Sequence, residues 1–326
     1  MKKIMVIATG GTIVGTGAIG KSKLYEAGQI DIDQIIGTIG NVNDLARVEA
    51  IQLFNVDSND LSLDNWIELK NVVNEVASRP DINGIVITHG TDTLDETAFF
   101  LNLVCETSKP VVITGAMRPA TATSPDGPMN LYQAIALASS DQAIGMGVVA
   151  VFSNTIYSSR DIQKENNFKT DAFSKRDFGC LGYMLDEKPY LFSKTYKRHT
   201  YTSEFPRLRL DKLPKVGISY FYVGAPADDL VKIAQNKDGM VIVGSGTGNY
   251  SKEWIVAIED LIGQGKVIVR ASRVNNGMVF ENIHFDPSNR SISANTLTGP
   301  KARVLLMLAL SLTRDIDEIK RIFGEY

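Results

Sequence analysis

Apolar residues follow two rhythms along this chain. Short, nearly unbroken runs at 3–8, 84–88, 110–114 and 147–153 read as buried strands. Between them the apolar positions recur every three or four residues, as helices require. A helix is expected near 31–39. Another over 62–78 carries Trp66, Leu69, Val72, Val73 and Val76 on one face, with Ser62 as N-cap and Arg79-Pro80 as its stop. Thr93-Leu94-Asp95-Glu96 has the form of a capping box opening the next helix, and a further helix is expected near 128–140. Strands without polar alternation need cover on both faces, so the predicted class is α/β with a parallel sheet.

The rhythm fades over 154–214, which turns polar and aromatic and contains Pro189, Pro206 and Pro214. It resumes with strands at 215–222, 239–244 and 266–270 and helices at 251–263, 300–312 and 314–323. The expected organisation is a larger N-terminal parallel-sheet α/β domain over 1–190, a linker over 191–214, and a smaller C-terminal α/β domain over 215–326. No internal repeat is strong enough to read as a duplication.

Composition narrows the partners. The 326 residues are 44% hydrophobic and 22% charged with a net charge of −3, a globular composition with no basic footprint for nucleic acid or anionic membrane. A small-molecule substrate is expected. Only two cysteines (Cys105, Cys180) and three scattered histidines occur, so neither a metal site nor a disulfide framework is expected. Lys2-Lys3 before an apolar run imitates a signal peptide, but the run reaches a glycine loop within about six residues and lacks a small-residue cleavage site. It reads as the first strand.

The candidate chemistry lies in two loops that each follow a strand: Ala8-Thr9-Gly10-Gly11-Thr12 and Thr88-His89-Gly90-Thr91-Asp92-Thr93. Each sets a threonine hydroxyl beside glycines whose backbone N–H groups are open, which suits a nucleophile and an oxyanion site at the carboxyl ends of strands. Taken singly, Thr12 also reads as a turn hydroxyl and Asp92 or Thr93 as a helix cap. A hydroxyl nucleophile needs a base, and no Ser/His/Asp spacing supplies one. A lysine, a tyrosine or a carboxylate remains, with Tyr25 and Lys164 as candidates. Gly15 to Ser22 formally fits both phosphate-binding glycine patterns. However, strand 3–8 ends well before Gly15 and no helical stripe follows Ser22. The run, with glycines at 15, 17, 20 and 28, is expected to be a lid bearing Tyr25.

The two loops, together with Gly115-Ala116-Met117-Arg118-Pro119, Asp126-Gly127-Pro128-Met129-Asn130-Leu131, Arg160-Asp161-Ile162-Gln163-Lys164, Ala271-Ser272-Arg273 and Lys301 to Leu306, make the chain resemble the bacterial-type L-asparaginases, closer to their type II branch, over essentially its whole length. The resemblance implies hydrolysis of L-asparagine to L-aspartate and ammonia, with L-glutamine as a secondary substrate and no metal or organic cofactor. It implies attack by Thr12 assisted by Tyr25, and a hydroxyl–lysine–carboxylate group of Thr91, Lys164 and Asp92. Backbone N–H groups around Gly11 and Thr91 would stabilise the oxyanion. Ser58 would hold the substrate α-carboxylate, Asn59 and Asp92 its α-ammonium, and the Ala116 carbonyl the amide N–H.

This chain departs from the family in two places. Asn59 stands where a glutamine is usual. The acidic residue lent by a neighbouring subunit aligns on Ile283, leaving Glu281 as the nearest carboxylate, while Asn249 fits the other lent contact. Such lending implies a homotetramer built as a dimer of dimers. The rival readings are an ammonia-supplying amidotransferase subunit and a non-catalytic asparagine-binding protein. The first lacks a basic RNA-binding stripe, and the second would be expected to have lost Thr12, Thr91 or Lys164. Because the chain opens on its first strand, a cytoplasmic location is expected, or a periplasmic one if a leader has been removed.

Overall fold

The computed structural model describes residues 1–21, 25, 26, 31–174 and 176–326, with the backbone alone at 25, 26 and 176. The chain forms two units, Met1–Arg207 and Leu208–Tyr326. The break falls inside the stretch read as a linker.

In chain order the first unit contains β1 (Lys3–Gly10), β2 (Thr16–Gly17), β3 (Tyr25–Glu26), α1 (Ile32–Thr38), α2 (Val42–Leu45), β4 (Arg47–Val56), α3 (Leu63–Ser78) and β5 (Gly84–Thr88). It continues with α4 (Leu94–Val104), β6 (Val111–Thr114), α5 (Gly127–Ala138), β7 (Val148–Phe152), β8 (Thr155–Ser158), β9 (Gln163–Lys164), β10 (Phe173–Ser174), β11 (Gly182–Leu185) and β12 (Lys188–Leu191). Eight strands form one sheet in the order β12-β11-β8-β7-β6-β5-β1-β4. The five from β4 to β7 are parallel, as expected of fully apolar strands. Beyond them β8, β11 and β12 run antiparallel, so the sheet is mixed rather than parallel throughout. The turn from β7 to β8 has Ser153 and Asn154 at positive φ (45° and 63°), the backbone that a two-residue hairpin favours.

Strand order sets the position of the site. From β1 the chain leaves to β4 on one side, and from β5 it leaves to β6 on the other. The carboxyl ends of β1 and β5 therefore flank the point where connections diverge, the usual location of a ligand crevice in such sheets. The strands β1, β5, β6 and β7 are buried along nearly all their length. One core cluster joins Ile4, Val6, Val86 and Val112 to Leu131, Ile135 and Ala138 of α5. Edge strand β4, Arg47–Val56, was not anticipated. It is mostly half-buried along its length, so it lacks the unbroken apolar run that marks its neighbours.

The helix signals were partly right. Ser62 caps α3 reciprocally with Asn65, and Trp66 of α3 donates to Thr97 of α4 at 2.9 Å while stacking on Phe100. The capping box at Thr93 does not form. Thr93 occupies the N-cap of α4 without accepting a backbone bond, because its hydroxyl donates instead to the Ser58 carbonyl at 2.9 Å. Both cysteines are free and buried.

The second unit contains β13 (Val216–Tyr220), α6 (Ala227–Ala234), β14 (Gly239–Gly244), α7 (Lys252–Gly263), β15 (Val267–Ser272), β16 (Ile292–Ser293), α8 (Gly299–Leu312) and α9 (Ile316–Glu325). Its four strands are parallel in sequential order. Trp254, Ile258 and Leu261 of α7 pack with Leu230 and Ala234 of α6 on Met240, Ile242 and Ile268.

Candidate active site

Three loops at the carboxyl ends of β1, β5 and β6 approach one another through backbone, and glycines allow it. A Cβ on Gly11 would lie 2.5 Å from both Cα and N of Gly90. A Cβ on Gly90 would lie 2.7 Å from Ser58 Cβ, and one on Gly115 would lie 2.3 Å from the His89 carbonyl oxygen. Each distance is well inside van der Waals contact, so any side chain there would part the loops. Gly10 and Gly11 also adopt φ of 103° and 84°, a backbone that other residues enter only at a cost. Thr12 then begins a short 3₁₀ turn, Thr12–Val14, and is buried.

The Thr91 loop carries a bonded polar group. Lys164 Nζ lies 2.8 Å from the Thr91 hydroxyl and 2.5 Å from Asp92 Oδ1. Lys164 is 73 residues away in sequence, and β9 brings it in by pairing with β10 at Phe173. The other Asp92 oxygen, Oδ2, accepts from Asn59 Nδ2 at 3.1 Å. Both Asp92 oxygens thus face donors. Lys164, and after it Asn59, hold its carboxyl below the usual carboxylate range against the opposing effect of burial. Asn59 is itself fixed, because its Nδ2 also donates to Asp57 Oδ1 at 2.8 Å. With both amide hydrogens committed, Asn59 Oδ1 is left as an acceptor. Ser58 is buried beside Gly90, and its carbonyl is held by Thr93.

The third loop places Ala116 near the first. A Cβ on Gly127 would lie 2.8 Å from Ile13 Cγ1 and 3.3 Å from Ala116 Cβ, so Ala116 and the residue after Thr12 share a wall. Asp126 shapes this loop by accepting from the N–H groups of Met117 and Arg118 at 3.0 and 2.9 Å. Asn130 donates to the Gly115 carbonyl at 3.0 Å. The sequence reading gave neither residue a role. Asp126 precedes a helix that has a proline in its first turn, which signals an N-cap, yet its carboxylate turns away to the loop and makes no cap bond.

The expected lid is in part a hairpin. Strand β2 pairs with β3, Gly17 opposite Tyr25. Gly17 N–H donates to Thr121 Oγ1, Gly20 N–H to the Thr121 carbonyl, Ala120 N–H to the Gly15 carbonyl, and the Thr123 hydroxyl to the Gly20 carbonyl, at 2.8–3.1 Å. The Tyr25 side chain, Ser22 and Gly28 lie outside the described part of the structure. Asn249 and Glu281 belong to the second unit. Asn249 closes a tight turn with Ser245, its N–H donating to the Ser245 carbonyl at 2.7 Å, and its Oδ1 accepts from Thr247 Oγ1 at 3.2 Å. Glu281 is exposed.

Brought together, then, are Gly11, Thr12, Ser58, Asn59, Thr91, Asp92, Ala116 and Lys164. The arrangement offers two buried hydroxyls, one bonded to an ammonium–carboxylate pair. The Thr91 N–H has no acceptor among the described residues, but the Gly11 N–H, expected to be open, donates to the Val56 carbonyl at 3.1 Å, because the bend after β1 keeps it paired to β4. Such a set can carry out acyl transfer through a hydroxyl nucleophile.

Comparison with known proteins agrees over both units. Residues 3–197 match the family model described as asparaginase, N-terminal, and residues 215–323 match the glutaminase/asparaginase C-terminal domain. A glutaminase-asparaginase of Pseudomonas fluorescens biotype A is 41% identical over 332 residues, spanning 100% of this chain and 91% of that protein. L-asparaginase 2 of Escherichia coli (strain K12) is 36% identical over 330 residues, spanning 100% and 94%. The crystal structure of a probable cytoplasmic L-asparaginase from Campylobacter jejuni superposes with a TM-score of 0.96 at 39% identity, covering 100% of both chains.

Proposed function

The chain belongs to the asparaginase/glutaminase-asparaginase family of amidohydrolases, and from that premise we propose that it hydrolyses the side-chain amide of L-asparagine to L-aspartate and ammonia, with L-glutamine as a slower substrate. The observation that carries the reading is the Thr91–Lys164–Asp92 group, with Nζ 2.8 Å from one partner and 2.5 Å from the other, set on a loop whose backbone packs against the Thr12 loop.

In the proposed reaction Thr12 Oγ attacks the amide carbon while Tyr25 assists its deprotonation, accepting the hydroxyl proton as it passes its own on toward the amide nitrogen. The oxyanion that develops is met by the Thr91 backbone N–H, a donor of a kind that contributes roughly 3–4 kcal/mol. The C–N bond breaks, the nitrogen leaves as ammonia after gaining a proton, and an ester to Thr12 remains. Water, oriented by the Thr91–Lys164–Asp92 relay, then attacks this ester; the C–O bond to Thr12 breaks, the proton lost by the water returns to Thr12 Oγ, and aspartate leaves. Within that relay Lys164 orients and polarises rather than acting as a free base, because the carboxylate beside it favours the ammonium form.

Recognition of the substrate uses the same walls. Ser58 and the Asp92 backbone hold the α-carboxylate, the Asp92 carboxylate and the Asn59 carbonyl meet the α-ammonium, and the Ala116 carbonyl accepts from the substrate amide. Asn249 and Glu281 of a neighbouring copy close the α-ammonium side in a homotetramer. No metal or organic cofactor enters any step.

The test is ammonia release from asparagine and glutamine by the wild-type protein and by Thr12→Ala. Release from asparagine that falls to background in the variant is expected. No release from either amide, or equal release by both proteins, would overturn the reading.

A further inference from the structure

One titratable group on the Thr91 loop has no task in the reaction proposed above. His89 is completely buried, at 0% exposure. Its Nδ1 lies 2.7 Å from the Gly90 carbonyl oxygen. A carbonyl oxygen can only accept, so Nδ1 carries the ring proton and Nε2 is bare. Nε2 has no hydrogen-bond partner among the described residues. Burial pushes the imidazole down to about 4, so the ring is neutral near pH 7. A buried acceptor without a partner is unfavourable, and an apolar side chain would fill the same volume without it. What histidine adds at this position is its hold on the Gly90 carbonyl.

That carbonyl belongs to the peptide joining Gly90 to Thr91. A trans peptide is planar and points its C=O and N–H in opposite directions. Drawing the carbonyl against the buried ring therefore turns the Thr91 N–H away from it. Among the described residues this N–H finds no protein acceptor, although Thr91 is only 5% exposed. Without a hold, a peptide beginning at glycine has little to fix its rotation. The reversed orientation would aim a carbonyl dipole at the developing negative charge.

We propose that His89 is a positioning residue: its Nδ1–H bond to the Gly90 carbonyl locks the Gly90–Thr91 peptide so that the Thr91 N–H faces the tetrahedral oxyanion. The proposal rests on the threonine-nucleophile reading given above. Because the oxyanion forms only on the way through the transition state, the lock acts on kcat and leaves substrate binding nearly untouched.

Three variants test it. His89→Asn places an amide nitrogen where Nδ1 was, His89→Gln places one nearer Nε2, and His89→Leu supplies none. The Asn variant should keep kcat within about threefold of wild type, while Gln and Leu lose roughly 10- to 100-fold in kcat with KM for asparagine within about threefold. If the Leu variant fails to fold, the comparison of Asn with Gln decides, since the two match in polarity. Nitrogen-15 spectra of the ring-labelled wild type, which need no turnover, should show the proton on Nδ1. Equal kcat in the Asn and Gln variants, a loss confined to KM, or a proton on Nε2 would each overturn the proposal. A wild type that releases no ammonia would instead overturn the parent reading, and the ring spectrum would still decide whether His89 holds Gly90.

Discussion

Gly11 and Gly90 meet so closely that a Cβ on the first would stand 2.5 Å from two backbone atoms of the second. This contact sets the spacing between the loop that holds Thr12 and the loop that holds Thr91. Gly11→Ala must push them apart, and it also forces alanine into φ of 84°. Displacing reacting groups by about 1 Å costs on the order of 100-fold in rate. The expected outcome is a loss of that size in kcat/KM, with a destabilisation of about 1–3 kcal/mol. Steady-state kinetics and urea midpoints measure both.

Lys164→Met separates chemistry from stability. The pair it breaks is half-exposed on its Asp92 side, where the side chain is 53% accessible, so its stabilising effect is about 1 kcal/mol or less. The kinetic loss should be much larger, roughly 100- to 10,000-fold in kcat. A variant that unfolds early yet turns over normally would reverse this assignment.

Asn59 is one of two donors that hold the Asp92 carboxyl below the carboxylate range, Lys164 being the stronger. Removing it in Asn59→Ala lets that carboxyl rise toward its ordinary value. Ionised Asp92 is then lost at a higher pH as the solution is acidified. The acid limb of the kcat/KM profile should move to higher pH, and KM for asparagine should rise roughly 10-fold with the lost contact. An unmoved acid limb would show that Asp92 does not govern it.

Acid stability should report His89. Its folded value of about 4 lies below the ordinary value near 6.5, so between those limits the unfolded chain binds the proton more readily. Stability is complete above about pH 6.5 and falls as pH drops toward 4, by up to roughly 3 kcal/mol from this residue. His199, also lowered by burial, acts in the same direction. His89→Asn should therefore flatten the urea midpoint against pH over this interval without abolishing the slope.

Much of the scaffold was legible because the parallel strands that build the crevice are apolar without interruption. Strand β4 was not, since an edge strand that is mostly half-buried resembles a loop in pattern. The Thr93 capping box failed for a reason outside its own segment, because Ser58, 35 residues earlier, supplies the acceptor that claims the hydroxyl. Contacts across such separations leave no spacing to read. The pairing of Lys164 with Thr91 came from family resemblance rather than periodicity, and the loop-shaping carboxylate of Asp126 was hidden behind a plausible helix start.

The four bonds between Gly15–Gly20 and Ala120–Thr123 have a mechanical consequence. The hairpin that leads to Tyr25 and the loop that ends at Ala116 are geared through Thr121, with Asp126 fixing the far end. Neither wall can swing alone without breaking bonds to the other. A ligand that seats against either wall should therefore shield both from proteolysis, and the rate at which product escapes becomes a property of the pair.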